Sequence, residues 1–355
     1  MLKNFFRYFI SSLFFLVVSS LSANAEFKAG FIYVGPVGDH GWSYQHHEGR
    51  NAVEAAGIKT TYVESVPEGA DAERVIRQLA SSGHGIIFTT SFGYMDPTNK
   101  VAKDFPNVKF EHATGYKREH SNVSTYGARF YQGRTLLGHI AGNMTKTNTI
   151  GYIASFPIPE VIRGINSMTL AAQKVNPNIK TKIVWVFTWY DPGKEAEAAQ
   201  ALIDQGADII MQHTDSTAAV QVAEKAGVWS FGQASDMQKF APKSVLTSII
   251  DDWAPYYVER SKAVQNGTWK QQDTWHGLKE GMVAMGDYNP AMGADLVKKV
   301  KQLQKDLASG KVHSFTGPIY DQKDNVLVSL GSVADDGMLA GMNVYVKGVE
   351  GEIPK

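Results

Sequence analysis

The stretch AGFIYVGPVGDHGWSYQHHEG, residues 29–49, runs from an apolar segment through a glycine-rich loop into small and apolar residues at helical spacing. The apolar segment, 29–34, has the length and composition of a β-strand. Near-continuous apolar strands belong to parallel sheets that are covered on both faces, so the whole stretch is typical of the first half of a βαβ unit. It therefore predicts an α/β fold.

The same alternation continues along the chain in two blocks. In the first block we predict further strands at 60–64 and 85–90, and helices at 43–57 and 71–82. In the second block we predict strands at 149–154, 183–187, 209–212 and 228–231, with helices such as 158–175 and 193–205 between them. Strands separated by helices favour a parallel sheet in each block. The pattern predicts two doubly wound, Rossmann-like lobes.

The division of the chain into lobes follows from its length. Without its first 25 residues the chain has about 330 residues, which is enough for two apolar cores. Two-lobed proteins of this kind pass the chain between the lobes more than once, through hinge segments that absorb closure. We expect one lobe from 26–145 plus about 251–275, with a crossing helix near 250–264, and a second from about 146–250 plus about 276–355. Whether 312–355 packs on one lobe or bridges both is left open.

Residues 1–25 have the three parts of a secretory signal peptide. Lys3 and Arg7 form a basic start, an apolar stretch follows at 9–21, and Ala23 to Ala25 make an A-x-A cleavage site. The sequence contains no cysteine, which excludes disulfides, thiolate metal sites, a cysteine nucleophile and a lipid-modified cysteine. We therefore predict a freely diffusing periplasmic protein without a lipid anchor.

The charge balance of the sequence restricts its partners. Lys plus Arg number 35, and Asp plus Glu also number 35. Nucleic acids and anionic membranes would favour a basic stripe and a high isoelectric point. The expected partner is therefore a small, weakly charged molecule and not a nucleic acid.

Loops that follow the predicted strands are candidates for a ligand site, because open parallel sheets bind ligands at the carboxyl ends of their strands. Several of these loops are rich in aromatic and acidic side chains: 35–44, 91–96, 188–191, 213–216 and 233–236. We expect the five loops to converge on one cleft.

Longer motifs resemble one family, the BMP or PnrA-like substrate-binding proteins of ABC importers, whose characterised members bind purine nucleosides. The opening segment 29–49 is similar to a family segment in which an Asp precedes a Ser-Phe-Asn run and a Glu-Gly follows, with Trp42 in place of that Phe. Further matching stretches are 92–96, 105–110, 132–133, 189–194, 202–208 and 277–281. The resemblance covers essentially the whole mature chain. It implies the fold of type I periplasmic binding proteins and delivery of the ligand to an ABC permease in the inner membrane.

The resemblance also implies which side chains bind the ligand. In this family two aromatic side chains, one from each lobe, stack on the purine ring, and the matching positions are Trp42 and Trp189. Stacking is worth about 1–3 kcal/mol per base, and a sandwich completed on closure couples binding to lobe movement. By itself, a tryptophan in a loop is more often a packing residue than a ligand platform. Phe92 matches an aromatic or apolar wall position, and Ser43, which replaces the usual Asn, is a further candidate for lining the pocket.

Carboxylates complete the predicted site, because in a dry cleft they accept hydrogen bonds from the exocyclic amine and ring N–H of a base. The candidates are Asp39, Asp96, Asp215 and Asp236. Each of the first three also has a structural interpretation: Asp39 in a turn, and Asp96 and Asp215 as helix caps.

Two departures from the family pattern bear on specificity. Ala234-Ser235-Asp236 stands where nucleoside-binding members have Asp-Ser-Asp, and Asp251 stands where they have a Lys; both family motifs engage the ribose and its surroundings. Lost partners would leave buried sugar hydroxyls unpaired, at about 1–3 kcal/mol each. We therefore expect a free nucleobase, adenine first, with Asp251 counted among the ligand-binding residues. A purine nucleoside (adenosine, guanosine or inosine) is the alternative.

Enzyme and metal chemistry lack their motifs. The glycine-rich loop 35–41 has neither dinucleotide spacing nor the Lys-Ser/Thr of a phosphate loop, and no Gly-x-Ser-x-Gly elbow is present. His40, His46 and His47 lie close together without an HEXXH pattern. We expect no catalytic residue, metal site or cofactor, and a monomeric protein. A ligand-sensing receptor component of the same fold is left open as a second alternative.

Overall fold

The computed structural model describes residues 26–355, and the predicted signal peptide at 1–25 lies outside the described residues. The strands are β1 (Lys28–Ile32), β2 (Lys59–Val63), β3 (Ile86–Thr89), β4 (Lys109–Ala113), β5 (Val123–Ala128), β6 (Thr149–Ala154), β7 (Lys180–Trp185), β8 (Ile209–His213), β9 (Trp229–Gly232), β10 (Val245–Asp251), β11 (Asp273–His276), β12 (Val283–Met285), β13 (Ile319–Tyr320), β14 (Val326–Val328) and β15 (Val349–Glu350). The α-helices are α1 (Trp42–Ala55), α2 (Ala70–Ser81), α3 (Met95–Asp104), α4 (Phe130–Met144), α5 (Pro159–Val175), α6 (Pro192–Asp204), α7 (Ala218–Ala226), α8 (Ala254–Gln265), α9 (Gly293–Ala308) and α10 (Asp336–Ala340).

The strands form two large sheets and one small hairpin. The first sheet has the order β11-β5-β4-β3-β1-β2 and is parallel throughout. The second has the order β12-β10-β9-β8-β6-β7-β15, and within it only β10 and β12 pair antiparallel. In both sheets the chain begins centrally, adds a strand on one side and then crosses to the other, which is the doubly wound order. The predicted α/β class with two doubly wound lobes is confirmed.

Burial follows the position of each strand in its sheet. All four residues of β3, a central strand, are buried, and Phe88 in β3 stacks on Phe31 in β1 with ring centroids 4.7 Å apart. The strand β2 lies at the edge of its sheet, paired only with β1, and is largely exposed. The sequence did not predict strands β4, β5 and β11 of the first sheet or strands β10, β12 and β15 of the second.

The chain passes between the lobes more than once. Helix α4 leaves β5 of the first sheet and packs against α5, α9 and the second-sheet strands β10 and β12. Gly138 permits the close approach of α4 to α5, since a side chain there would collide with the carbonyl oxygen of Met168. Helix α8 covers the predicted crossing segment and packs on α1 of the first lobe, and β11 then joins the first sheet. The lobe boundaries expected from the sequence, including the one at residue 145, stay predictions.

Candidate functional site

A cavity with about 340 Å³ of atom-free space lies between the two lobes, at the carboxyl ends of the strands. The first lobe contributes Val34, Trp42, Ser91, Phe92 and Thr114 to its lining, and the second contributes Glu160, Trp189, His213, Asp215 and Gln233. Each of these residues lies at the end of a strand or in the segment that follows one. The cavity therefore occupies the crevice where open α/β sheets bind their ligands.

Trp42 and Trp189 bring one aromatic side chain from each lobe to the cavity. Trp42 is the first residue of α1, and its Nε1 donates a hydrogen bond of 2.6 Å to the carbonyl oxygen of Thr90. Its ring packs edge-on against the ring of Trp253, with centroids 5.4 Å apart. Trp189 lies in the loop after β7, and its ring centroid is 5.0 Å from that of Phe156. Both indoles are partly buried, so each keeps surface for a ligand.

Asp39 and Ser43 shape the loop that presents Trp42. The Asp39 carboxylate accepts hydrogen bonds from the backbone N–H groups of Gly41 (2.8 Å), Ser43 (2.9 Å) and Tyr44 (3.0 Å), at the start of α1. The Ser43 hydroxyl accepts one from the N–H of Gly35 at 3.1 Å. Both side chains are buried, and neither belongs to the cavity lining. Burial outweighs the backbone donors and raises the pKa of Asp39 from 3.8 to about 6.

Asp215 is one of two carboxylates that the second lobe brings to the cavity, and Glu160 is the other. It follows β8 in a loop that Glu195 holds: one Glu195 oxygen accepts from the N–H (3.0 Å) and the hydroxyl (2.7 Å) of Ser216. Within residues 26–355, Asp215 Oδ2 is buried and has no hydrogen-bond partner. Burial, with Asp39 and Glu195 nearby, raises the pKa of Asp215 well above its ordinary value. This oxygen is an acceptor available to a ligand.

The lobes meet closely beside Asp215. A side chain at Gly41 would collide with the Asp215 backbone, and the Ser235 hydroxyl of the second lobe donates to the His40 carbonyl of the first. The described conformation is therefore closed at this end of the cleft, and Asp39 and Asp215 approach each other across it.

Glu160, His213 and Gln233 are cavity residues that were not singled out from the sequence. The Glu160 carboxylate lies 3.6 Å from His213 Nε2, and Gln233 Oε1 accepts a hydrogen bond from the buried Arg134 guanidinium. His213 and Gln233 fall in loops predicted to line the cleft. Glu160 follows β6, so the strand-end rule, applied to that strand as well, would have found it.

The remaining predicted residues lie away from the cavity lining. Asp96 is 76% exposed and pairs with Lys117 at 2.6 Å. Asp236 accepts from the N–H of Gln238 (3.0 Å) and lines a separate surface recess near His40. Asp251, at the end of β10, is fully buried, and both its oxygens lack a partner among the described residues. Of the nine candidates, the structure brings Trp42, Phe92, Trp189 and Asp215 together at one cavity.

Two further findings concern the region from Glu26 to Lys355. It contains no cluster of three or more His, Asp or Glu side chains arranged to hold a metal ion. It also contains no helix with the length and apolar character needed to cross a membrane.

The buried Asp39 gives a testable pH dependence. Because its pKa in the folded protein, about 6, exceeds the ordinary 3.8, the folded protein holds an extra proton between these pH values. The stabilisation that this proton provides is present at low pH and is lost as pH rises through that window. We expect the Tm of the wild type minus the Tm of Asp39→Asn to decrease as pH rises from about 4 to 6, measured by differential scanning calorimetry. A constant difference would show that Asp39 titrates normally.

Comparisons with known proteins agree with this arrangement. The family model described as ABC transporter substrate-binding protein, PnrA-like, matches residues 27–343. A purine-binding protein of Brucella abortus is 54% identical over 344 residues, covering 96% of this chain and 98% of that protein. A relative from Haloferax volcanii, named as an ABC transporter glucose-binding protein, is 38% identical over 92% of this chain and 81% of its own.

Solved structures match the fold. A solute-binding protein of an ABC transporter system from Aeropyrum pernix superposes with a TM-score of 0.70 at 20% identity, covering 81% of this chain and 92% of that one. A corresponding protein from Conexibacter woesei gives a TM-score of 0.64 at 22% identity, covering 81% and 98%. At this identity the likeness concerns the type I periplasmic binding fold.

Proposed function

This chain belongs to the PnrA-like family of ABC transporter substrate-binding proteins, and from that premise we propose that it captures a purine, with free adenine as the preferred ligand. The family and the fold are those of binding proteins and not of enzymes. In the proposed role the lobes close over the base in the periplasm, and the monomeric protein passes it to a permease in the inner membrane.

One observation carries the purine assignment. The cavity between the lobes has a tryptophan from each lobe and a buried carboxylate oxygen, Asp215 Oδ2, without a hydrogen-bond partner in the described region. A flat aromatic ring gains from stacking on the indoles, and an exocyclic amine or ring N–H supplies the donor that Asp215 lacks. Phe92 adds an apolar wall. The relative named as purine-binding supports the same ligand class.

Free base is preferred over nucleoside for two reasons. Ala234 and Asp251 stand at the two positions where, by the resemblance, nucleoside-binding members of the family carry side chains that contact the ribose. Asp236 hydrogen-bonds locally and lies outside the cavity lining, so it gives no acceptor to a sugar there. Unpaired sugar hydroxyls would cost about 1–3 kcal/mol each on burial.

Calorimetric titration tests the proposal. The protein is unfolded and refolded to remove bound ligand, and then titrated with adenine, hypoxanthine, guanine, adenosine and glucose. Tight adenine binding with weak adenosine binding supports the free-base assignment. Tighter adenosine binding would overturn the specificity, and binding of glucose alone would overturn the purine assignment.

Asp215→Asn is expected to weaken adenine binding by about tenfold to a hundredfold, because a ligand N–H left without its acceptor on burial costs about 1–3 kcal/mol. The amide also presents its own N–H groups where the ligand needs an acceptor. Calorimetric titration measures the loss, and Asp204→Asn, on the exposed end of α6, is the matched control. Equal affinity for the Asp215 variant and the control would remove Asp215 from the site.

A further inference from the structure

We propose that a second chamber beside the purine cavity binds a neutral, largely apolar substituent on the base, so that the protein accepts N6-aryl or N6-alkyl adenines as well as adenine. The chamber is partly open to solvent; its atom-free space, including the open part, is about 710 Å³, and it lies between the lobes towards β11. This inference rests on the proposed function, because it extends the ligand from the same site.

The two spaces are adjacent. Phe92, Thr114 and Glu160 line both of them, so these three side chains form the boundary between the cavities. A base held between Trp42 and Trp189 has this boundary at one side. A substituent that leaves the base at this boundary would enter the second chamber, whose lining includes neither tryptophan.

The chamber wall is rich in aromatic and apolar side chains. Tyr126, Pro159 and Trp275 are examples, together with Phe92 at the boundary. The Trp275 ring is fixed by two guanidinium groups, those of Arg129 at 4.4 Å and Arg163 at 4.7 Å from its centroid. A rigid aromatic wall of this kind favours an apolar or aromatic occupant.

Polar groups of the chamber are largely engaged within the protein. Asp273 accepts from the Thr125 hydroxyl at 2.8 Å and pairs with Arg118 at 3.1 Å. Thr274 accepts from the Gln272 side-chain amide at 2.8 Å. Arg163 donates to the Leu339 carbonyl at 2.6 Å while it lies against Trp275. A sugar with several hydroxyls would find few free partners here, whereas an apolar group needs none.

Glu160 suits the link between the base and the substituent. An N6-substituted adenine keeps one N–H at the exocyclic nitrogen, and a carboxylate at the boundary can accept it. The Glu160 side chain is only 13% exposed, and the buried His213 imidazole, whose pKa is lowered by burial, lies 3.6 Å from its carboxylate. A hydrogen bond to this oxygen would therefore form in a largely dry place.

Ala340 offers a way to fill the chamber without disturbing the purine cavity. It is the last residue of α10, it is exposed, and it lines the second chamber but not the first. A tryptophan at this position would occupy space that a substituent needs. Ala294, exposed on α9 and outside both linings, provides the matched control.

The test is calorimetric titration of the wild type, Ala340→Trp and Ala294→Trp with adenine, N6-benzyladenine and adenosine. We expect the wild type to bind N6-benzyladenine within about tenfold of adenine, and Ala340→Trp to weaken N6-benzyladenine alone by about tenfold or more. Ala294→Trp is expected to bind all three ligands as the wild type does.

Other outcomes overturn the inference in distinguishable ways. Adenine binding without N6-benzyladenine binding would reject the assignment of the chamber to a substituent and leave the proposed function intact. N6-benzyladenine binding that Ala340→Trp does not weaken would place the substituent elsewhere. Tight adenosine binding that Ala340→Trp weakens would assign the chamber to a sugar. Failure of adenine itself would reject the proposed function and the inference together.

Discussion

Trp42→Ala is expected to abolish most purine binding and to destabilise the first lobe. The lost stacking is worth about 1–3 kcal/mol, or roughly tenfold to a hundredfold in affinity. The indole also packs against Trp253 and Phe130 and donates to Thr90, and replacing a buried aromatic by alanine costs about 3–5 kcal/mol of folding free energy. Because Trp42 is only partly buried, the lower end of that range is expected. Titration with adenine and urea unfolding measure the two effects.

Trp189→Ala separates binding from stability. Trp189 lies in a loop of the second lobe, where its aromatic neighbours are Phe156 and His213. We expect a similar loss of adenine affinity with a smaller loss of stability, since fewer packed side chains depend on this ring. If both tryptophan variants bound adenine as the wild type does, the cavity would not be the purine site.

Arg260→Met is expected to lower the free energy of unfolding by about 3–5 kcal/mol, the cost of leaving a buried charge without its partner. Arg260 on α8 pairs with Glu111 on β4 at 2.7 Å, and both side chains are almost completely buried. Glu111 would keep only the Tyr256 hydroxyl (2.6 Å) and the Trp269 indole N–H (2.7 Å) as donors. Urea unfolding at neutral pH measures the change.

Two further variants test whether the effect of Arg260→Met comes from the buried ion pair. Arg74→Met breaks an exposed pair with Asp71 and is expected to leave the unfolding midpoint nearly unchanged, because water already solvates both groups. Adding Glu111→Gln to Arg260→Met is expected to recover part of the lost stability, since the buried charge is gone. If Arg260→Met were no more destabilising than Arg74→Met, the buried pair would not hold α8 on the first sheet.

The fold could be predicted because its signal is local. A central strand such as β3 is buried throughout and apolar at three of its four residues, since both faces of a parallel sheet are covered, and β6 is similarly apolar in the second lobe. Strand β4 carries Glu111 and His112 at buried positions, and β5 is rich in Ser, Thr and Gly. In these strands polar residues interrupt the apolar run. They can be buried because partners elsewhere in the chain, such as Arg260 for Glu111, satisfy them. Those strands were missed for that reason.

The candidate site was only partly predictable. Strand-end loops and the resemblance together placed Trp42, Trp189, Phe92 and Asp215 at the cleft, and these four line the cavity. Asp96 has the same kind of sequence position, directly after a strand-end loop, yet its carboxylate turns to Lys117 at the surface.

The sequence by itself determined the α/β class, the two-lobed organisation and the edge of the sheets at which a ligand site belongs. These depend on hydrophobic periodicity and on the order in which strands and helices follow one another, and both can be recognised in the sequence. Only the tertiary structure decided which carboxylates face the cavity. Backbone amides of α1 hold Asp39, whereas Glu195 fixes the loop that directs Asp215 inward. Side-chain direction depends on such partners far apart in the chain, and no local pattern specifies them.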